Sequence, residues 1–215
     1  VLLDALAYLF PVPCAGCGRD GRALCTACAP GLTPAVTSNA LPGVGPVTAG
    51  LAYDGVARAA LLALKEEGRA GLASALAVPF AAAVSSALVD ARTVLVAVPS
   101  TRSARRRRGF EPVRLLATQA GIRLTPLFLP ARPHAAQKGL GVAERARNLE
   151  GVFALARPVA GIRALLVDDV ATTGATLAAA AGMLRGGGAE VVGAAVLAAA
   201  ARRDGRSSGT LSNSS

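Results

Sequence analysis

The chain has 215 residues, enough for one well-packed domain with a small module beside it. Hydrophobic residues make up 53%, but with five Phe, two Tyr and no Trp the packing falls to Ala, Leu and Val, which disfavours an aromatic-rich sandwich and suits helices laid closely on a sheet. A formal net charge of +10 attracts phosphates of any kind, so it admits both nucleic acid and small phosphorylated substrates and does not separate them.

The opening "VLLDALAYLFPVPC" is apolar and is expected to lead into the first module as a helix. It carries Asp4 and no basic n-region, so it does not read as a cleaved signal peptide, and the expected location is the cytoplasm. All four cysteines then fall in "CAGCGRDGRALCTAC": Cys14, Cys17, Cys25 and Cys28, two C-x2-C knuckles separated by seven residues. Four thiolates at this spacing can surround one tetrahedral zinc, and the neighbouring glycines let the backbone turn tightly toward it. Two disulfides, a dithiol redox site and an iron–sulfur centre are the alternatives, the first disfavoured by the missing export signal. A zinc here would be structural, organising a segment too short for its own core.

Residues 29–50 read as a Pro- and Gly-rich loop, and "LAYDGVARAALLALKEEG" as a helix ending near Gly68, with apolar positions 57, 60, 61 and 64 at helical spacing. Lys65 sits in its last turn, where a cation is welcome, and reads as a helix-end charge. The stretch 70–89 is charge-free and long enough to cross a bilayer. Its Ala, Ser, Gly and Pro79 content favours a packed helix broken near Pro79, and no membrane span is expected. "TVLVAVP" (93–99) reads as a buried strand, "EPVRLLATQAG" as a helix, "RLTPLFL" as a short strand, and "ARPHAAQKGLGVAERARNLEGVF" as a polar segment. "RALLVDDV", "GATLAAAAGMLRGGG" and "EVVGAAVLA" follow as strand, helix and strand. Alternation of this kind gives an α/β fold with a mostly parallel central sheet flanked by helices. The expected division is 1–40 for the cysteine module, 41–203 for the α/β domain and 204–215 for a disordered tail.

The informative stretch is "LLVDDVATTGATLAAA", residues 165–180. Two acids arrive at the C-terminal end of a buried strand, where open α/β sheets keep their crevices. The following turn carries Thr172, Thr173 and Thr176 around Gly174 and enters a helix near Gly174 or Ala175. Unpaired N–H groups at that helix start, with the hydroxyls, suit a phosphate, and Gly174 lets the backbone curl around it. Asp168 and Asp169 would repel the same phosphate, so they must face sugar hydroxyls or a divalent cation. A sugar phosphate satisfies both halves. The plainer alternative is a turn acid followed by capping threonines. Neither a G-K-[ST] nucleotide loop nor a G-x-G-x-x-G fingerprint is present.

This stretch resembles the ribose-phosphate signature of type I phosphoribosyltransferases. That resemblance implies a 5-phosphate of phosphoribosyl pyrophosphate held by Ala171, Thr172, Thr173, Gly174, Ala175 and Thr176, catalytic Asp168 and Asp169 near the ribose hydroxyls, and Mg²⁺ nearby. The cysteine knuckles, "YDGVARAALLALKEEG", "VAVPSTRSARRRRGFE" and "RPHAAQKGLGVAERARNLEGVF" extend the resemblance to the ComF (competence protein F) or GntX group, from Leu9 to about Ala200. It implies a zinc-ribbon module before a phosphoribosyltransferase-like domain. It also implies a pyrophosphate loop with Ser100, Thr101 and Arg102, and a mobile loop offering Arg132, Gln137, Lys138, Arg145 and Asn148.

Three positions depart from the group's pattern. Arg108-Gly109-Phe110-Glu111-Pro112 stands where Arg-Gly-Phe-Asn-Gln is usual, Pro112 suiting the first turn of a helix. His134, read otherwise as an exposed loop residue, replaces a usual Thr, and no downstream cysteines supply a second metal. Thr172 stands where enzymes for 6-oxopurines place an acid, which argues against hypoxanthine or guanine as acceptor. The group's link to natural transformation brings single-stranded DNA and DNA-uptake proteins in as further partners, and "RSARRRR" (102–108) offers five arginines to a phosphate backbone. The competing expectation is therefore a non-catalytic zinc-ribbon DNA-binding or scaffold protein on the same fold. An oligomer is compatible with either.

Overall fold

A computed structural model describes residues 12–99, 109–130 and 153–201 of the chain. Its element order is β1 (Thr37–Leu41), β2 (Gly45–Ala52), α1 (Gly55–Glu66), α2 (Ala73–Ala87), β3 (Val94–Ala97), α3 (Pro112–Gln119), β4 (Phe128–Pro130), β5 (Phe153–Leu155), β6 (Arg163–Ala171), α4 (Ala175–Gly186) and β7 (Glu190–Ala199). Five strands form one sheet in the order β1-β2-β7-β6-β3. The β2–β7, β7–β6 and β6–β3 pairs are parallel, and β1 closes one edge antiparallel to β2. The mostly parallel α/β architecture expected from the alternating pattern is what the chain adopts.

The sheet is covered on both faces, as parallel sheets require. On one side Leu51, Leu165, Val167 and Leu197 pack with Leu61 and Leu64 of α1, Leu76 and Phe80 of α2, and Val113 and Leu116 of α3. On the other, Val47, Val96, Leu166 and Val196 pack with Leu177, Ala180 and Leu184 of α4 and with Phe128 of the small β4–β5 ribbon. Leu, Val and Ala dominate both cores, as the scarcity of aromatics dictates.

Two local expectations are corrected. Residues 29–50 are not a plain loop: a 3-10 turn at Ala29–Leu32 precedes the β1–β2 hairpin. Gly43, in the hairpin turn with φ 77°, and Gly45, which opens β2 with φ 106°, shape the hairpin and are not the marks of an unstructured segment. The strand β1 thus runs across the division expected at residues 40–41. Nor does Pro79 break its helix, since α2 continues through it. Pro79 is buried where α2 lies hard against β2, and a Cβ on Gly50 would come within 2.1 Å of the Pro79 carbonyl oxygen. Glycine is what lets helix and strand approach this closely.

Pro112 does open α3, with Glu111 as the residue before it. Residues Ala70–Ala87 are apolar and long enough to cross a membrane, with mean hydropathy 1.6, and 44% of the stretch is buried. Here it packs on β2 and β7, and α3 packs against it in turn.

Candidate functional site

The N-terminal module is built around its cysteines. Cys14 N–H donates to the Arg19 carbonyl at 2.8 Å and Gly18 N–H returns to the Cys14 carbonyl at 2.8 Å, closing the first knuckle. Gly18 takes φ 73° in that turn, and Cys28 N–H closes the second knuckle on the Cys25 carbonyl at 3.0 Å. The four sulfurs lie within 4.8 Å of one another, and Cys17 and Cys25 Sγ are 3.7 Å apart. A tetrahedral Zn–S₄ centre with bonds of about 2.3 Å has sulfur–sulfur edges of roughly 3.8 Å, so the donor set fits zinc. No two of the cysteines are bonded to each other. The Cys25 N–H reaches the Cys14 sulfur at 3.3 Å, and this and the Cys17 N–H lower the Cys14 thiol to about 6. Thiolate-favouring N–H groups of this kind are what a metal-binding sulfur needs. When bound, zinc would supply folding energy, held by Cys14, Cys17, Cys25 and Cys28.

The second site lies at the C-terminal end of β6. Successive strand side chains point to opposite faces. Asp169 is in phase with Leu165 and Val167, so it turns toward the helices of the first core, where it is only 8% exposed. There Lys65 Nζ donates to Asp169 Oδ1 at 2.9 Å, across 104 residues of sequence. A carboxylate buried to this extent without a partner would cost several kcal/mol, about 3–5 by the usual effect of stripping one member from a buried pair. Asp168, in phase with Ala164 and Leu166, departs toward the other face, and its Oδ1 accepts the Asp169 backbone N–H at 2.8 Å. Desolvation first, and the adjacent Asp169 charge second, push the Asp168 carboxyl well above the ordinary carboxylate range, while the Asp169 N–H and Lys65 pull the other way.

Beyond the acids the chain turns into α4. Thr172, Thr173, Ala175 and Thr176 are exposed, and Gly174 is buried beneath them. The N–H groups of the first turn of α4 have no intrahelical acceptor, and among the described residues Ala175 N–H has only a long contact of 3.4 Å to Thr173 Oγ1. The turn is therefore open to an anion. Gly174 adopts φ 75°, and a Cβ there would lie 2.3 Å from Leu41 Cδ2, at the end of β1. The hairpin carrying Leu41 is pinned by Arg185 of α4, which donates to the carbonyls of Gly43 at 2.6 Å and Val44 at 2.8 Å.

Gly174→Ala should accordingly destabilise the fold, by about 1–2 kcal/mol for left-handed backbone and about 1–3 kcal/mol for overpacking against Leu41. Urea denaturation measures it: a loss of only about 1–2 kcal/mol would show that Leu41 yields and the backbone term alone remains, and an unchanged midpoint would refute both.

Asp168, Asp169 and Ala171 to Thr176 are thus brought together at one strand end, as the spacing requires. Ser100, Thr101 and Arg102, and Arg132, Gln137, Lys138, Arg145 and Asn148 with His134, lie outside the described residues. The flanks of the first of these segments are described. Pro99 and Glu111 line a cavity beside the end of β3, with Arg114 and Thr125, and Arg114 is paired to Glu111. The altered Glu111-Pro112 position therefore borders a cleft at the same edge of the sheet. Lys65 is the residue that sequence reasoning missed as part of the site. One signal was present: among cations that are otherwise arginine, Lys65 and Lys138 are the only lysines.

A parallel sheet with paired acids and a Thr-rich anion turn at one strand end is the layout of a phosphoribosyltransferase. The chain matches the phosphoribosyl transferase domain family over residues 74–213, more than half its length, and belongs to that family. Two curated relatives are DNA utilization protein YhgH of Salmonella typhi and of Salmonella typhimurium, each 36% identical over 89 residues. The match covers 39% of this chain and 39% of each relative, so the chain spans well under two thirds of their length. With the N-terminal cysteine cluster, these findings bear out the resemblance to the ComF/GntX group.

Proposed function

We propose that the protein binds phosphoribosyl pyrophosphate, with Mg²⁺ carried on the diphosphate, and transfers the phosphoribosyl group to an acceptor. The observation that supports this most is the exposed Thr172–Thr176 turn at the start of α4, directly after Asp168 and Asp169. The 5-phosphate would sit on the free N–H groups and threonine hydroxyls, and Asp168 would accept hydrogen bonds from the ribose hydroxyls. Transfer breaks the C1–O bond, whose electron pair leaves with pyrophosphate. The acceptor's lone pair forms the new bond to C1, and its proton passes to solvent. Positive charge grows on the ring in the transition state, where a nearby carboxylate stabilises it, while cations stabilise the departing pyrophosphate. Ser100, Thr101 and Arg102 are assigned to that leaving group. Arg132, Gln137, Lys138, Arg145 and Asn148 are assigned to a loop that closes over the site and excludes water. In this proposal a zinc-ribbon module precedes the transferase domain, with β1 of the main sheet at the division between them.

A second reading is supported by the name of the two relatives, which ties those proteins to DNA utilization. On it the protein binds single-stranded DNA or DNA-uptake proteins through its basic surface and does not turn over. One pair of titrations separates the two. Calorimetry with phosphoribosyl pyrophosphate and Mg²⁺ is expected to give saturable, Mg²⁺-dependent binding, with DNA affinity weak and lost steeply as salt rises. Tight DNA binding without phosphoribosyl pyrophosphate binding would reverse the order of the two readings.

A further inference from the structure

The resemblance assigns the two adjacent acids one joint role, yet the fold does not treat them alike. Strand alternation sends Asp168 and Asp169 to opposite faces, and among the described residues only Asp169 receives a counter-charge by direct contact, Lys65 Nζ at 2.9 Å. Both members of this pair are shielded, with side chains 24% and 11% exposed. Attraction is therefore less screened than at a surface pair. Among the described residues this is the one side-chain hydrogen bond Lys65 makes.

The helix that carries Lys65 is itself held at both ends by the cysteine module. At its start, Val56 packs where a Cβ on Gly31 would come within 2.8 Å, and on Gly16 within 3.3 Å. Past its end, Arg69 donates to the carbonyls of Pro13 and Ala23. Lys65 thus reaches Asp169 from a fixed base, and a flexible surface lysine would not hold a carboxylate in one place.

We propose that the acids divide their work: Asp168 meets the substrate, and Lys65 is a positioning residue that holds Asp169 out of the cleft and offsets its charge beside Asp168. Without Lys65, Asp169 would be a second uncompensated negative charge next to the group that meets the ribose, disfavouring an anionic ligand there. The assignment rests on phosphoribosyl pyrophosphate being the ligand. Lysine's compact ammonium suits this single-point contact, and arginine retains the charge with altered shape.

The test is a double-mutant cycle with Lys65→Met, Asp169→Asn and the two combined, plus Lys65→Arg. Each is titrated with phosphoribosyl pyrophosphate and Mg²⁺ and unfolded in urea. Lys65→Met is expected to weaken binding about tenfold or more, Lys65→Arg to recover most of it, and the double variant to lose less than the product of the two singles. A merely structural lysine would lower the urea midpoint and leave the affinity of the folded protein unchanged. Equal affinity in Lys65→Met and wild type, or strictly multiplicative losses, would overturn the assignment while leaving the functional proposal intact. If Lys65→Met does not fold, Asp169→Asn against Asp168→Asn gives the same decision: an affinity loss in Asp169→Asn as large as that in Asp168→Asn overturns it. A wild-type protein that does not bind phosphoribosyl pyrophosphate at all would instead fell the functional proposal, and this assignment with it.

Discussion

Asp168→Asn should abolish most turnover while making the protein harder to unfold at neutral pH. The two effects have one origin. The Asp168 carboxyl is pushed up by desolvation and by Asp169, so the folded state resists the charge that the unfolded chain accepts freely near pH 3.9. Below that pH both states hold the proton and nothing is lost. As pH rises above it, the unfolded chain releases its proton before the folded one does. The folded state then binds more protons, so stability falls with pH until the folded carboxyl also ionises, and the penalty persists above that. Asparagine has no charge to desolvate, and its Oδ1 can still accept the Asp169 N–H. Urea midpoints of the two proteins should therefore coincide near pH 3.5 and diverge toward pH 7, the variant being the more stable. Pyrophosphate release should fall by roughly 10²–10³-fold, the scale of losing one oriented group at a developing charge. A variant less stable than wild type at pH 7 would show that the carboxylate is needed for folding. A variant as active as wild type would remove Asp168 from the chemistry.

A stabilising loss of function is the signature expected where a site is kept at some cost to the fold. That logic also explains what was legible in the sequence. The segment from Leu165 to Ala180 could be read locally, because an apolar run, two acids and a glycine-centred turn each constrain the backbone within a few residues. The α/β alternation was equally local. Pairing across the chain was not. Lys65 has the pattern of an ordinary helix-end charge, and only the arrangement of α1 over β6 brings it to Asp169. The β1–β2 hairpin was hidden for a related reason. Gly43, Gly45 and Pro46 punctuate it as a loop would, and its strand character comes from β7, which pairs Val47 to Ala52 with Ala194 to Ala199. Pro79 suggested a helix break because a local rule sees the missing N–H. It does not see Gly50, whose lack of a side chain admits the helix at that point.

Metal removal should disturb more than the module that loses the metal. The knuckles have little core of their own, and without zinc four clustered thiols have no bond holding them together. Fraying of residues 12–33 would expose Leu32, which is 5% exposed in the first core, and release the Arg69 contacts to Pro13 and Ala23. Losing one buried leucine costs roughly 2–3 kcal/mol, which for a domain of this size lowers the melting temperature by roughly 5–10 °C. The protein is expected to release one zinc per chain to a strong chelator, with a metal-sensitive dye as readout and the thermal midpoint falling in parallel. Cys17→Ser should mimic the chelator with little direct damage to packing, because Cys17 is the exposed member of the set. The effect should then reach the proposed phosphate site. With α1 released at both ends, Lys65 loses its fixed approach to Asp169, and affinity for phosphoribosyl pyrophosphate should fall in the zinc-free protein in the direction of Lys65→Met. Chelation that frees no zinc, or that frees it without moving the thermal midpoint, would refute a structural metal. Chelation that lowers the midpoint but leaves the affinity untouched would show that the module supports the fold and has no mechanical link to the site.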